Sequence, residues 1–283
     1  MTKELLAYYE QDREHDRLRE GRGRLEFWRT QDVLRRLLPP APARVLDVGG
    51  GPGVHAEWLA ADGYDVELLD PIPLHVARAA ELTGVTARPG DARHLPAPDE
   101  SADVVLLLGP LYHLPDRAER VLALTEAQRV VRPGGLVAAA TINRHAAVLD
   151  TVHLGHYLHE HLRQAAHAAA ANGIMLSPVR GFSAYLHDPD EVPGEFADAG
   201  FPVVERYGLE GAFWLYGDVN DWLDDPERRA LLLDAQRSME SVPSLLGVSG
   251  HLLTITHRAV LPSDQHRATG DVDDDAGDPA RIV

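Results

Sequence analysis

The chain has 283 residues, of which 45% are hydrophobic, and sets 27 Lys and Arg against 44 Asp and Glu for a formal charge of −17. This composition excludes wholesale disorder, and the charge excludes general binding to a phosphate backbone. With no cysteine there is no disulfide, no thiolate nucleophile and no Cys-type zinc site. No apolar run approaches the ~20 residues of a membrane span. The N-terminus, MTKELLAYYEQDREHDRL, carries charges where a signal peptide needs its apolar segment. A cytoplasmic protein without nucleic-acid or membrane partners is expected. The 15 histidines are an excess that asks for an explanation.

In chain order, residues 1–40 read as helices. Leu5, Leu6, Tyr8 and Tyr9 form one apolar patch, and Leu25, Phe27, Trp28, Val33, Leu34, Leu37 and Leu38 another, which Pro39 and Pro40 end. RVLDVG (44–49) is a buried strand, and a helix closed by Gly63 follows the glycine-rich loop. VELLD (66–70) is the second strand, and its helix is capped by Gly84. VTARPGD (85–91) and ADVVLLLG (102–109) are the third and fourth strands. The amphipathic stretch 116–131 leads through RPGG into LVAAATI (136–142). Strands alternating with helices predict a parallel, doubly wound sheet. The rhythm then breaks at an insertion, about 143–182, whose His- and Ala-rich part predicts one helix over about 148–171. Asp188 reads as the N-cap of the next helix, with Pro189 at N1 and Glu191 at N3. The strand 202–211, the helix 224–241 and the closing strand 251–260 complete the fold. Residues 263–283 read as a disordered acidic tail.

Gly49, Gly51 and Gly53 lie between the first strand and first helix, where a ligand approaches the backbone most closely. Asp70 ends the second strand, placed to take both hydroxyls of a ribose, and Asp91 ends the third. A dinucleotide site asks for G-x-G-x-x-G to seat a pyrophosphate. The spacing here is G-x-G-x-G with no phosphate-binding lysine after it, which argues against a dehydrogenase and for a ligand without phosphates.

VLDVGGGPG, VELLDP, PGDARHLP, ADVVLLLGPLYHL and RVVRPGGLVAA resemble, in order, the motifs of class I S-adenosylmethionine-dependent methyltransferases. The resemblance spans residues 41–262. It implies a Rossmann-like α/β fold whose seven-stranded sheet has the order 3-2-1-4-5-7-6, strand 7 being antiparallel. A helical lid would come from residues 1–40 and the insertion. It further implies that Asp47 with Gly49, Gly51 and Gly53 holds the methionine part. Asp70 would hold the ribose and Asp91 with Ala92 the adenine, with Pro71 and Leu108 as further contacts. Arg29 would meet the cofactor carboxylate. Residues 184–201 and 244–253 resemble segments of an actinobacterial small-molecule subgroup.

The acceptor needs positioning and, for a weak nucleophile, a base. Tyr112 and His113 follow the fourth strand in GPLYHL, and His113 is placed like a general base. The absence of an N/D-P-P-Y motif there argues against amide-type N-methylation. Arg144, after the fifth strand, is placed to clamp an acceptor carboxylate. His153, His156 and Glu160 share one helical face by spacing. His187 and His251, with Glu210 or with His153 and His156, are candidate ligands for a divalent metal, zinc by donor type. A loose similarity to methyltransferases acting on the β-carbon of α-keto acids in peptide-antibiotic pathways suggests a use for such a metal, namely holding an enolate. The expected function is therefore C-methylation of an α-keto acid. The alternatives are O- or N-methylation of a secondary metabolite with a His base, or a non-catalytic nucleoside-binding protein. A homodimer is compatible with either.

Overall fold

In the computed structural model, residues 17–176 and 183–260 are described. The segments carrying Tyr8 and Tyr9, and the acidic tail, lie outside them.

Five strands alternate with helices as expected: β1 (Arg44–Val48), β2 (Asp65–Asp70), β3 (Val85–Pro89), β4 (Ala102–Leu107) and β5 (Val131–Asn143). All pair in parallel in the order β3-β2-β1-β4-β5. Two short strands follow, β6 (Ile174–Leu176) and β7 (Ser183–His187), then β8 (Glu205–Gly208) and β9 (His251–His257). β9 runs antiparallel along β5, and β8 antiparallel along β9. The sheet therefore has the expected 3-2-1-4-5-7-6 order, with β9 as the seventh strand and β8 as the sixth. The extra β6–β7 hairpin is a departure from the sequence expectation. β7 joins β5 only at Ile142 and Asn143, beyond the end of β4, so it extends the sheet over the carboxyl edge.

Alternation within each strand decides which face a side chain serves. Leu46, Val105, Leu107 and Val137 enter one core, covered by α4 (Arg117–Val130) and α7 (Val192–Asp198). Val45, Val104, Leu106 and Ala138 enter the other, covered by α1 (Gly23–Leu37), α2 (Val54–Ala61) and α3 (Pro73–Ala79). These strands are apolar on both faces because helices bury both. A third, smaller core joins α1 to α5 (Ala146–His153), α8 (Val219–Asp224) and α9 (Pro226–Arg237) through Leu25, Ala146, Leu223 and Leu232. A last short helix, α10 (Pro243–Leu246), precedes β9.

Two local expectations are corrected. The insertion helix is broken in two. α5 stops at His153, Gly155 turns left-handed at φ 73°, and α6 (Glu160–Asn172) starts afresh. His153, His156 and Glu160 therefore do not share a helical face. α7 begins at Val192 rather than after Asp188, because residues 188–191 close a turn of their own, Glu191 N–H donating to the Asp188 carbonyl at 3.0 Å. No described helix is long and apolar enough to cross a membrane.

Candidate cofactor and acceptor pocket

A cavity of about 380 Å³ opens at the carboxyl edge of β1, β2 and β4. Asp47, near the end of β1, lies in its floor, 1% exposed, and neither carboxylate oxygen has a hydrogen-bond partner among the described residues. Burial, and then the nearby charge of Asp70, push its pKa up to about 7. The loop above it depends on glycine. Gly49, Gly51 and Gly53 all have positive φ, and a Cβ on Gly50 would collide with the Asp47 carboxylate.

Asp70 ends β2 and straps the loop to the next turn. Its Oδ2 accepts from the Gly51 N–H at 2.9 Å, and its Oδ1 from the Ile72 N–H at 2.8 Å and His75 Nδ1 at 3.1 Å. Asp91 lies past the end of β3, half exposed, with Arg93 wrapped around it. Arg93 donates Nε to Oδ1 at 3.0 Å and a terminal nitrogen to Oδ2 at 2.6 Å, which lowers the Asp91 pKa. Pro71, Ala92 and Leu108 line the same cavity.

Tyr112 and His113 sit on a short 3₁₀ turn, Pro110–His113, directly after β4. Their rings meet edge to face, 4.7 Å apart. Burial, reinforced by Arg17, drops the His113 pKa to about 4, so its imidazole is neutral at pH 7. The turn is anchored from behind by Arg120, which is fully buried. One guanidinium nitrogen donates to the carbonyls of Leu114 and Pro115 at 2.9 and 2.8 Å. The others grip the Glu195 carboxylate at 2.6–3.1 Å. Tyr185 stacks on the same guanidinium at 3.6 Å.

Several sequence candidates lie elsewhere. Arg29 is 0% exposed and does not line the cavity. Its Nε donates to the Leu209 carbonyl at 2.9 Å, and its terminal nitrogens go to Asp32 and to Glu240. α1 turns it into the core, so it does not reach a cofactor carboxylate. Arg144 is also spent. It pairs with both Glu191 oxygens at 2.7 and 2.8 Å on the β7 side, outside the cavity. Trp28, in the apolar patch of the N-terminal helices, packs under the Arg229 guanidinium at 4.1 Å and does not line the cavity.

The proposed metal ligands separate. β7 and β9 flank opposite sides of β5, so His187 and His251 do not converge. His187 is buried against Glu195 at 3.3 Å, His153 lies beside Trp214, and His156 sits on the exposed turn between α5 and α6. Glu210 and His251 do meet, Nδ1 donating to Oε1 at 2.6 Å, and Glu26 of α1 joins them 3.7 Å from the same nitrogen. Their ligand atoms lie within 4.8 Å of one another, the one such group among the described residues. The charges there already balance. Burial alone would lower the His251 pKa, but Glu26 and Glu210 raise it to about 9. Burial would raise that of Glu26, but Arg17, bonded to it at 2.7 Å, and His251 bring it to about 2. An imidazolium and a guanidinium thus serve two carboxylates. The nitrogen facing the acids carries a proton that a metal would have to displace, and the other proposed ligands, His153, His156 and His187, lie elsewhere.

Residues that the sequence reading did not single out complete the pocket: Arg17, Glu26, Thr30, His55 and His75 all line it. Only His55 carried a usable signal, two positions after the last loop glycine.

Residues 46–139 match the family described as a methyltransferase domain. An uncharacterized methyltransferase of Mycobacterium tuberculosis is 45% identical over 106 residues, 37% of this chain and 42% of that protein. A ubiquinone biosynthesis O-methyltransferase of Rhizobium etli is 32% identical over 175 residues, 59% of this chain and 62% of that protein. The chain spans less than two thirds of either relative. Among solved structures, a SAM-dependent methyltransferase of Methanosarcina mazei superposes with a TM-score of 0.54 at 18% identity, covering 81% of this chain and 98% of that one. This last likeness is one of fold.

Proposed function

Starting from a methyltransferase domain at residues 46–139, we propose that this chain transfers a methyl group from S-adenosylmethionine to a small-molecule acceptor. Asp47 carries the reading. A buried carboxylate with two unpartnered oxygens at the floor of a cavity is costly unless a cation completes it. The α-ammonium of S-adenosylmethionine is such a cation. The glycine loop leaves room for the ligand. Asp70 keeps lone pairs for the ribose hydroxyls beside the backbone bonds that fix its orientation, and Asp91 with Ala92 lies where the adenine edge would rest.

When bound, the cofactor supplies a methyl group already activated on sulfur. The remaining work is orientation and removal of one proton. His113 is the base in this reading, because its imidazole lines the cavity and is neutral at pH 7. Tyr112, packed against it, fixes the ring. α1 and the residues before it form the lid, through Arg17, Leu18, Glu26 and Thr30. The described insertion helices line no part of the cavity.

The acceptor chemistry that suits one neutral base and no metal is a hydroxyl or enol. The Rhizobium relative, an O-methyltransferase by name, is consistent with oxygen as the target. Methylation of the β-carbon of an α-keto acid remains within this reading where His113 enolises the acid. The metal-held enolate is dropped, because His153, His156 and His187 do not converge with His251 and Glu210 on one site. Titration calorimetry with S-adenosylhomocysteine tests the cofactor assignment. Asp70→Ala should weaken binding by about 2 kcal/mol, and unchanged affinity would remove Asp70 from the site. A screen of phenols and α-keto acids, read by mass spectrometry for one added methyl, tests the acceptor class.

A further inference from the structure

Trp58 donates its indole N–H to Nδ1 of His55 at 3.2 Å. An indole nitrogen has a proton to give and no lone pair to offer, so Nδ1 must be the acceptor and the ring proton must sit on Nε2. The imidazole also stacks on Phe27 of α1, with centroids 5.7 Å apart and planes 26° apart. Two elements therefore fix its orientation. His55 is 8% exposed and lines the cavity, and among the described residues no hydrogen bond to Nε2 accompanies the one to Nδ1. Burial lowers its pKa to about 4, so the ring holds a single N–H through neutral pH. Its Nε2–H is a dependable donor.

Its place in the chain gives that donor a meaning. His55 lies in the first turn of α2, where backbone N–H groups lack intrahelical acceptors and the helix dipole favours negative charge. The loop that enters α2 starts from Asp47, whose bare carboxylate asks for a cation. One wall of the cavity thus demands a positive group at one end of a short loop and a negative group at the other. An α-amino acid satisfies both from a single carbon. Arg29, which the sequence offered for the carboxylate, is turned into the core.

We propose that His55, locked in one tautomer by Trp58, receives the α-carboxylate of the cofactor's amino-acid end through its Nε2–H, while Asp47 receives the α-ammonium. This rests on the S-adenosylmethionine reading above. The experiment compares S-adenosylmethionine, S-adenosylhomocysteine and decarboxylated S-adenosylmethionine by calorimetry on the wild type, His55→Phe and His55→Gln. In the wild type, loss of the carboxylate should weaken binding about tenfold, the value of one hydrogen bond to a charged group. His55→Phe keeps the stack on Phe27 and lacks the N–H. It should lose about tenfold for S-adenosylmethionine and little for the decarboxylated compound, so that the two converge within about twofold. His55→Gln, which carries an amide donor, should recover part of the loss. Independently of any ligand, ring ¹⁵N shifts of His55 should report the Nε2–H tautomer from pH 5 to 8, and Trp58→Phe should mix the tautomers. A carboxylate penalty in His55→Phe equal to that of the wild type overturns the proposal, as does a proton found on Nδ1. Failure of the wild type to bind any of the three compounds overturns the cofactor reading instead.

Discussion

At the scale of single residues, Asp47 sets cofactor affinity against stability. Its pKa is raised from the usual carboxylate value of about 4 in the unfolded chain to about 7 in the fold. The folded state therefore holds the proton more tightly, and the stability that goes with the protonated form is present below pH ~4 and lost as pH rises through about 7. Asp47→Asn should raise the Tm by a few degrees at pH 8 and change it little at pH 4, while lowering affinity for S-adenosylhomocysteine at least tenfold. In the wild type that affinity should increase as pH rises from 6 to 8, when the carboxylate ionises to meet the ammonium. A flat profile would detach Asp47 from the site. His251 follows the same sign at higher pH, for a different reason. Its pKa is raised to about 9 by Glu26 and Glu210, so its contribution is full below the unfolded value near 6.5 and fades as pH passes about 9. His251→Gln should cost stability at pH 6 and little at pH 10. Equal losses at both would show that packing, rather than the ion pairs, sets the value of this histidine.

At the scale of elements, the turn bearing Tyr112 and His113 is held by a helix it does not belong to. Arg120 of α4 reaches its carbonyls while Glu195 of α7 neutralises the guanidinium. Removing one partner strands a buried charge, so Arg120→Met should cost about 3–5 kcal/mol. Removing both by Arg120→Met with Glu195→Leu should cost far less than the sum of the two single changes. Denaturant unfolding of the four proteins measures this, and additive losses would mean that the pair is not coupled. In the double variant His113 should also lose its fixed place, which NMR of the ring reads without any acceptor.

For the molecule as a whole, the arginines around α1 bind it to the rest of the fold. Arg22 reaches Asp150, Arg24 reaches Asp224, and Arg29 and Arg36 converge on Glu240. The Glu26–His251–Glu210 cluster belongs to the same set of ties, joining α1 to β9. If these groups serve one another, stability needs no ion. Exhaustive chelation should leave the Tm of the untagged protein unchanged, and elemental analysis should find metal far below one equivalent. A stoichiometric metal whose removal lowers the Tm would restore the cluster as a metal site.

The sequence alone determined where the five parallel strands and the glycine loop fall along the chain, with Asp47, Asp70 and Asp91 at or near the strand ends. These are local facts. Apolar runs such as VVLLL need burial on two faces wherever they lie, and a loop of alternating glycines adopts positive φ whatever surrounds it. The order of the strands across the sheet, and the antiparallel run of the closing one, came from the resemblance rather than from periodicity. Partners among distant charged side chains are another matter. Arg29 and Arg17 are two arginines near the same helix, and nothing in their neighbours says that one turns into the core and the other toward the cavity. Only the packing of α1 against Leu209 and Glu240 decides it. The histidines follow the same rule. Spacing in the chain could not say that Gly155 breaks their helix, nor that β7 and β9 take opposite sides of β5. An ion pair is made by whichever elements meet in space, and that meeting is a property of the whole fold.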